Sequence, residues 1–476
     1  MSYLQALLVA EAHARGRAQR SAVYCHRHLA RRPMGILCWQ LGAEPFTAAA
    51  FAWGFGPGER HVVVPGEPRD RELTFRALGE AARAFNRWFE GGHGGEPQVV
   101  LPNRGNLKLL GRLGRRLAYL SNRDGRAPDP ELVRFGRHLG FLAEHARYPG
   151  QQLVVVLTDL LAEHWVTGLS DLEGQNLAAL DAAIDPPRGQ SGEEAAARAE
   201  SLEIGPMPGM SDDSAVEKLM QAFDEARGRS GGRLVTDARV VGRLLGPIQD
   251  HYERLVDRGW PLLWRCLQRE RTYPAARSVT RRWEHDLERL GRHLEWVVGK
   301  GGAYRTRQTH VQAAQRLADW ERAAALLEAE EIVDDPLRAI PCLLRHEGLQ
   351  GRVVKVNLEN REAAGRRPLV DVETDDPCLM PGGKEVYWTA TPAAAAWTVE
   401  SISPSRRGGS TIRLKRTSRT DPGAEPQVGA MVTFTVYTTR PNGYRAPVPG
   451  TVPWTHERAT PQESPSIEDG DGRPWE

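Results

Sequence analysis

The chain has 476 residues, 40% of them hydrophobic and 26% charged, an ordinary composition for a globular protein with room for about three domains. A formal charge of +2 and a pI near 8.3 exclude polyanion binding by the chain as a whole, so such a role must rest on local patches. Five scattered cysteines argue against a disulfide framework and for a reducing, cytoplasmic setting. With no secretory cleavage pattern and no membrane-length apolar run, no membrane partner is expected. Only six of the 63 basic residues are Lys, so the informative signal is where Arg clusters, not how much there is.

Residues 1–184 alternate apolar runs with helical patterns, which predicts an α/β domain. The runs are Gly35 to Leu41, His61 to Val64, Gln98 to Leu101 and Gln152 to Leu157, with helices expected near 70–90, 104–121, 130–147 and 158–182. Four such runs separated by helices suggest a parallel sheet. In the second of these helices Leu107, Leu110, Leu113, Leu117 and Leu120 form an apolar stripe. Arg104, Lys108, Arg112, Arg115 and Arg116 carry charge with no acid among them, as either a solvated face or a phosphate-contacting one. Gly105, Gly111 and Gly114 each weaken that helix by about 1 kcal/mol relative to Ala, so tertiary packing must hold it. Two groups invite a chemical reading. Tyr24-Cys-His-Arg-His28 with Cys38 supplies metal-ligating atoms, but only Cys38 stands in a second half-site. His145, Asp159 and His164 bracket the fourth apolar run and would need to meet at a sheet edge.

Residues 185–213 are rich in Pro, Gly, Ala and Glu and read as a linker or long surface loop. Residues 214–348 read as a helical scaffold, opened by the capping-box spacing of Ser214 and Glu217. Trp283, Leu287, Leu290, Leu294 and Val297 make a seam for another helix, and Trp260, Trp264, Trp296 and Trp320 are expected in the core.

Beyond Gly348 the period changes to two, and six short strands over 349–440 predict a small SH3- or OB-like barrel. Its hairpin from Ser403 to Arg419 places Arg406, Arg407, Arg413, Lys415, Arg416 and Arg419 around Gly408-Gly409 without an acid between them. Such a hairpin suits closely spaced phosphates, with a solvated hairpin or a protein-docking surface as the alternatives. Asp371-Val-Glu373 could hold metal ions on one strand face, but the further carboxylates of a metal nuclease are missing. Residues 441–476 have little to bury and are expected to be disordered. No Walker A, Gly-x-Ser-x-Gly or dinucleotide fingerprint occurs, so no cofactor, metal or catalytic residue is assigned.

The run Gly351-Arg-Val-Val-Lys-Val-Asn-Leu-Glu-Asn-Arg-Glu, with Pro368 to Pro377 and Glu385-Val-Tyr-Trp-Thr389, resembles the accessory β-barrel of superfamily 1 helicase-like proteins. The resemblance implies DNA or RNA handling beside a protein partner that carries the motor ATPase. The expectation is therefore a multidomain, non-enzymatic accessory subunit of a helicase-associated or phage-defence complex. A protein-interaction scaffold or a metal-dependent nuclease is the alternative.

Overall fold

The computed structural model describes residues 3–40, 48–65, 71–91, 96–120, 127–200, 214–229, 238–302, 309–362, 365–376, 378–393, 396–405, 408–417 and 425–440. The N-terminal part opens on helix α1 (Tyr3–Arg15), has helix α2 (Arg71–Ala77) after its third strand, and is centred on a mixed sheet. Its strands are β1 (Met34–Gln40), β2 (Ala48–Gly56), β3 (Glu59–Val63), β4 (Val99–Leu101) and β5 (Val154–Val156), in the order β3-β2-β1-β4-β5. β1, β2 and β3 form an antiparallel meander, whereas β4 runs parallel to β1 and β5 parallel to β4. The expected all-parallel sheet is thus half antiparallel. The reason is β2, an Ala-rich strand with weak β propensity that returns beside β1 after a short connection.

Both faces of the sheet are buried except at the edge strand β3, and the alternation of side chains assigns each residue to a layer. Ile36, Cys38, Phe51, Trp53, Val99, Leu101, Val154 and Val156 face α3 (Gly79–Glu90), α4 (Arg104–Ala118) and α5 (Pro130–His145), joined by Trp283 and Leu290 of α11 (Val279–Leu294). Leu37, Trp39, Ala50, Ala52, Val100 and Val155 face α6 (Leu157–His164), α7 (Leu177–Ile184), α9 (Ser214–Arg229) and α10 (Ala238–Glu270). Small residues let α10 come close: a Cβ on Gly35 would lie 2.9 Å from the Trp264 ring. The segment expected as a separate scaffold therefore shares both cores of the α/β domain. The Trp283–Val297 seam meets this same domain, with Trp260 and Trp264 in the opposite layer. Within the expected linker, Gly192–Glu200 forms helix α8 on α7, and 201–213 lie outside the described residues.

α12 (His310–Asp334), opened by a Thr309–Gln312 capping box, and α13 (Pro336–Leu344) lead to the C-terminal module. Its strands β6 (Gly348–Asn357), β7 (Leu369–Thr374), β8 (Glu385–Trp388), β9 (Trp397–Pro404), β10 (Ser410–Arg416) and β11 (Met431–Thr435) close as β7-β10-β9-β8-β11-β6. This is the six-stranded barrel that the two-residue period predicts, with Val370, Val372, Trp397, Ile412, Leu414 and Phe434 in its own core. The tail at 441–476 lies outside the described residues. No described helix is long and apolar enough to cross a membrane.

Candidate polyanion interface

The sequence nominates two basic surfaces. On the barrel, register decides the outcome, because directly opposed residues on neighbouring strands share a face. Asp371 on β7 stands opposite Arg413 on β10 and Lys355 on β6. Its two carboxylate oxygens accept hydrogen bonds from the Arg413 guanidinium at 2.8 and 3.0 Å. Lys415 lies 3.5 Å from Glu400. Arg416 is buried and donates to Glu425 at 2.8 Å. Three hairpin cations thus have carboxylate partners from elsewhere in the module. Arg406, Arg407 and Arg419 lie outside the described residues. Glu373 accepts a hydrogen bond from Ser405, so neither member of the Asp371–Glu373 pair stands without a partner.

The second surface is α4. Asn103 caps it by accepting from the Asn106 N–H at 3.0 Å, and the Asn106 side chain accepts from the Cys38 N–H at 2.7 Å, which ties the helix start to the central strand. Leu109, Leu110, Leu113 and Leu117 enter the core. Arg104, Lys108, Arg112 and Arg115 point outward and are exposed. At spacings of four, four and three they form one stripe about 16 Å long at 1.5 Å per residue. Arg104 pairs with Asp159 of α6 at 2.8 Å. Burial raises the Asp159 pKa, and the Arg104 guanidinium opposes that shift. The stripe starts where β4 ends, beside the place at which the chain crosses from the meander to the parallel half of the sheet. In open α/β sheets such switch points are where ligands gather.

The other sequence candidates disperse. His145 faces Asp286 at 3.0 Å, Asp159 faces Arg104, and His164 faces Glu270, so the trio at the fourth run does not meet. The Cys25 thiol donates to the Arg27 carbonyl at 3.3 Å, His26 stands 3.7 Å from Asp335, and His28 stacks on Trp283 at 4.0 Å. No group of three metal-ligating side chains occurs among the described residues.

Sequence reasoning missed one cluster here. His164 sits between the Glu270 carboxylate at Nδ1 and the Tyr24 carbonyl at Nε2, 3.2 Å away, and stacks on Tyr273. Both ring nitrogens face acceptors, which only the imidazolium can satisfy. Burial lowers its pKa, but the Cys25 thiol and Glu270 outweigh it and lift the group to about 10. Nothing in the spacing of residues 25, 164 and 270 announces this meeting. The chain matches no known protein family, no curated protein and no solved structure.

Proposed function

We propose that the protein is a non-enzymatic accessory subunit that contacts the phosphates of DNA or RNA, with α4 as its principal contact. The observation that carries this reading is the exposed line of Lys108, Arg112 and Arg115 on a helix without an acid, continued at its start by Arg104, which Asp159 pairs. Several cations in a row release counterions from a polyanion and bind it without sequence preference. Arg406, Arg407 and Arg419 of the barrel hairpin extend the same chemistry. Arg413, Lys415 and Arg416 serve instead to order the hairpin through Asp371, Glu400 and Glu425. The sequence likeness of residues 349–440 to helicase accessory barrels of the SH3- or OB-like kind supports a motor ATPase as the partner. The five free cysteines suit a cytoplasmic setting.

The test is binding of the full chain to unrelated duplex and single-stranded oligonucleotides over a salt series. Replacing Lys108, Arg112 and Arg115 by Ala should weaken binding about equally for every sequence and flatten the log–log salt slope by roughly 0.7 to 0.9 per lost phosphate contact. An Arg406/Arg407→Ala variant measures the share of the hairpin. Absence of binding at low salt, or binding unchanged in both variants, would overturn the reading.

A second reading, a protein-docking role, has its own observation. Val354, Val428 and Met431 on or beside the neighbouring barrel strands β6 and β11 are 41%, 64% and 60% exposed, apolar side chains that a partner could cover. Copurification of a partner lost in Val354→Asp/Met431→Asp would favour it.

A further inference from the structure

On the α3 side of the sheet, the outer hairpin is only partly covered. Trp53 and Phe55 stand two apart on β2 and so project to one face, where Phe55 meets Trp88 of α3 at 5.7 Å between ring centroids. A cavity of about 680 Å³ opens beside these three rings, within the roughly 300–1,000 Å³ of small-molecule sites. His61 of β3 closes one end by stacking on Trp53 at 5.2 Å, with 19° between the rings.

The rim carries both signs of charge. Glu80 and Arg87 lie seven apart on one face of α3, and both are exposed. Across from them are Arg32, whose guanidinium lies 5.1 Å from the Phe55 centroid, and Glu96. Arg32 also pairs with Glu59 at 2.9 Å, but with 71% of its side chain exposed the pair is open to exchange. One oxygen of Glu96 accepts the Arg31 backbone N–H at 2.9 Å and the other stands 3.6 Å from the His28 Nε2, which fixes that carboxylate at the rim.

This combination selects among ligand classes. An aliphatic chain would leave the exposed Glu80 and Arg87 unused, a simple anion would meet two carboxylates, and a simple cation would meet two guanidinium groups. A nucleotide answers all of it. Its base offers a flat face to the aromatic rings and N–H groups to a carboxylate, in the way Glu accepts from an exocyclic amine. Its phosphate takes a charge-assisted bond from Arg. We infer that this groove binds a nucleotide, with the base against the partly exposed Phe55 beside the buried Trp88, its amino edge toward Glu80 or Glu96, and the phosphate on Arg87 or Arg32.

The inference does not rest on the α4 stripe, and one titration separates the two. Adenosine, cytidine and guanosine 5′-monophosphates are added to the full chain while tryptophan fluorescence is followed, because Trp53 and Trp88 border the groove. At least one should quench saturably, and its nucleoside and ribose 5-phosphate should each bind about tenfold or more weaker, the loss expected for one charge-assisted bond or one stacked face. Arg87→Ala and Glu80→Gln, both at exposed positions, should weaken the mononucleotide about tenfold, and Phe55→Leu should do so without emptying the site. Lys108→Ala/Arg112→Ala should leave mononucleotide binding unchanged even where oligonucleotide binding falls. Three outcomes overturn the inference: no saturable response up to millimolar mononucleotide, ribose 5-phosphate binding as well as the mononucleotide, or tetramethylammonium binding in preference to either.

Discussion

His164 and His293 are both buried, but their neighbours give them opposite pH behaviour. Against burial, and with the Tyr24 carbonyl 3.2 Å from its Nε2, His164 has its pKa lifted to about 10 by the Cys25 thiol and Glu270. Its contribution to stability is therefore complete below the ordinary histidine value near 6.5 and is lost as pH rises through about 10. The Nε2 of His293 lies 2.9 Å from the Nδ1 of His138, and the Nε2 of His138 lies 2.8 Å from Glu90. Burial, and then the rings of His138 and His145, push His293 down to about 3. Burial also lowers His138, against the pull of Glu90. These two favour the fold above about pH 6.5 and cease to do so as pH falls toward 3. A melting-temperature profile against pH should thus decline on both sides of near-neutrality. Glu270→Gln should cost about 3 kcal/mol at pH 6.5, because it breaks a buried pair, and should flatten the alkaline limb while leaving the acid limb alone. His293→Phe, which retains the stack on Phe141 at 4.0 Å, should flatten only the acid limb. An unchanged alkaline limb in Glu270→Gln would mean that His164 is not held charged.

At the scale of elements, the crossing of α4 and α5 explains glycines that local propensity counts as defects. A Cβ on Gly114 would stand 2.7 Å from the Gly140 nitrogen and 2.8 Å from the Leu139 Cβ, and one on Gly136 would stand 2.6 Å from the Leu117 Cβ. The two helix backbones touch there, so the propensity lost at Gly114 is offset by the depth of packing. Gly114→Ala or Gly136→Ala should lower the urea midpoint by the equivalent of about 1–3 kcal/mol through overpacking. Gly140→Ala meets nothing within 4 Å and should instead be neutral or raise stability by up to about 1 kcal/mol. Equal effects at Gly114 and Gly140 would contradict the close crossing. The leucine period made α4 and its basic face legible from the sequence, and the alternating strands made the barrel legible. β2 was not, because Ala48-Ala-Ala-Phe-Ala-Trp-Gly54 is dictated by what packs on each side. Ala50 and Ala52 admit α10, and Phe51 and Trp53 fill the other layer.

Across the whole molecule, what stayed hidden is what distant segments bring to one another. The hairpin cations could be counted from the sequence, but their neutralisation could not, since Asp371 comes from 42 residues before Arg413 through strand register. The same holds for residues 21–31, which cross between the sheet, α10 and α13. Cys25 pairs with Pro274 and Ala276, Arg27 reaches Glu163 and the Gln151 carbonyl, and Ala30 donates to Gln98. Asp335 anchors this segment to α13. It is fully buried and accepts from the Val23, Tyr24 and Leu337 N–H groups at 2.6, 3.0 and 2.8 Å, and these bonds with His26 hold its pKa at about 2 against burial. Asp335→Ala leaves those three donors without their acceptor, at about 1–3 kcal/mol for each that water cannot reach. The barrel core contains none of these groups; the module meets the helices through Arg277, which donates to the Thr389 carbonyl at 2.9 Å, and through Tyr437, which packs on Ile332, Ala339 and Cys342 of α12 and α13. Calorimetry of Asp335→Ala should therefore show the α/β part melting early while the barrel transition stays near its wild-type temperature. Hydrogen exchange should quicken first at Val23, Tyr24 and the strands they border, with Val370, Ile412 and Leu414 still protected. A single transition shifted as one unit would mean that the barrel has no stability of its own and that the two cores fold as one.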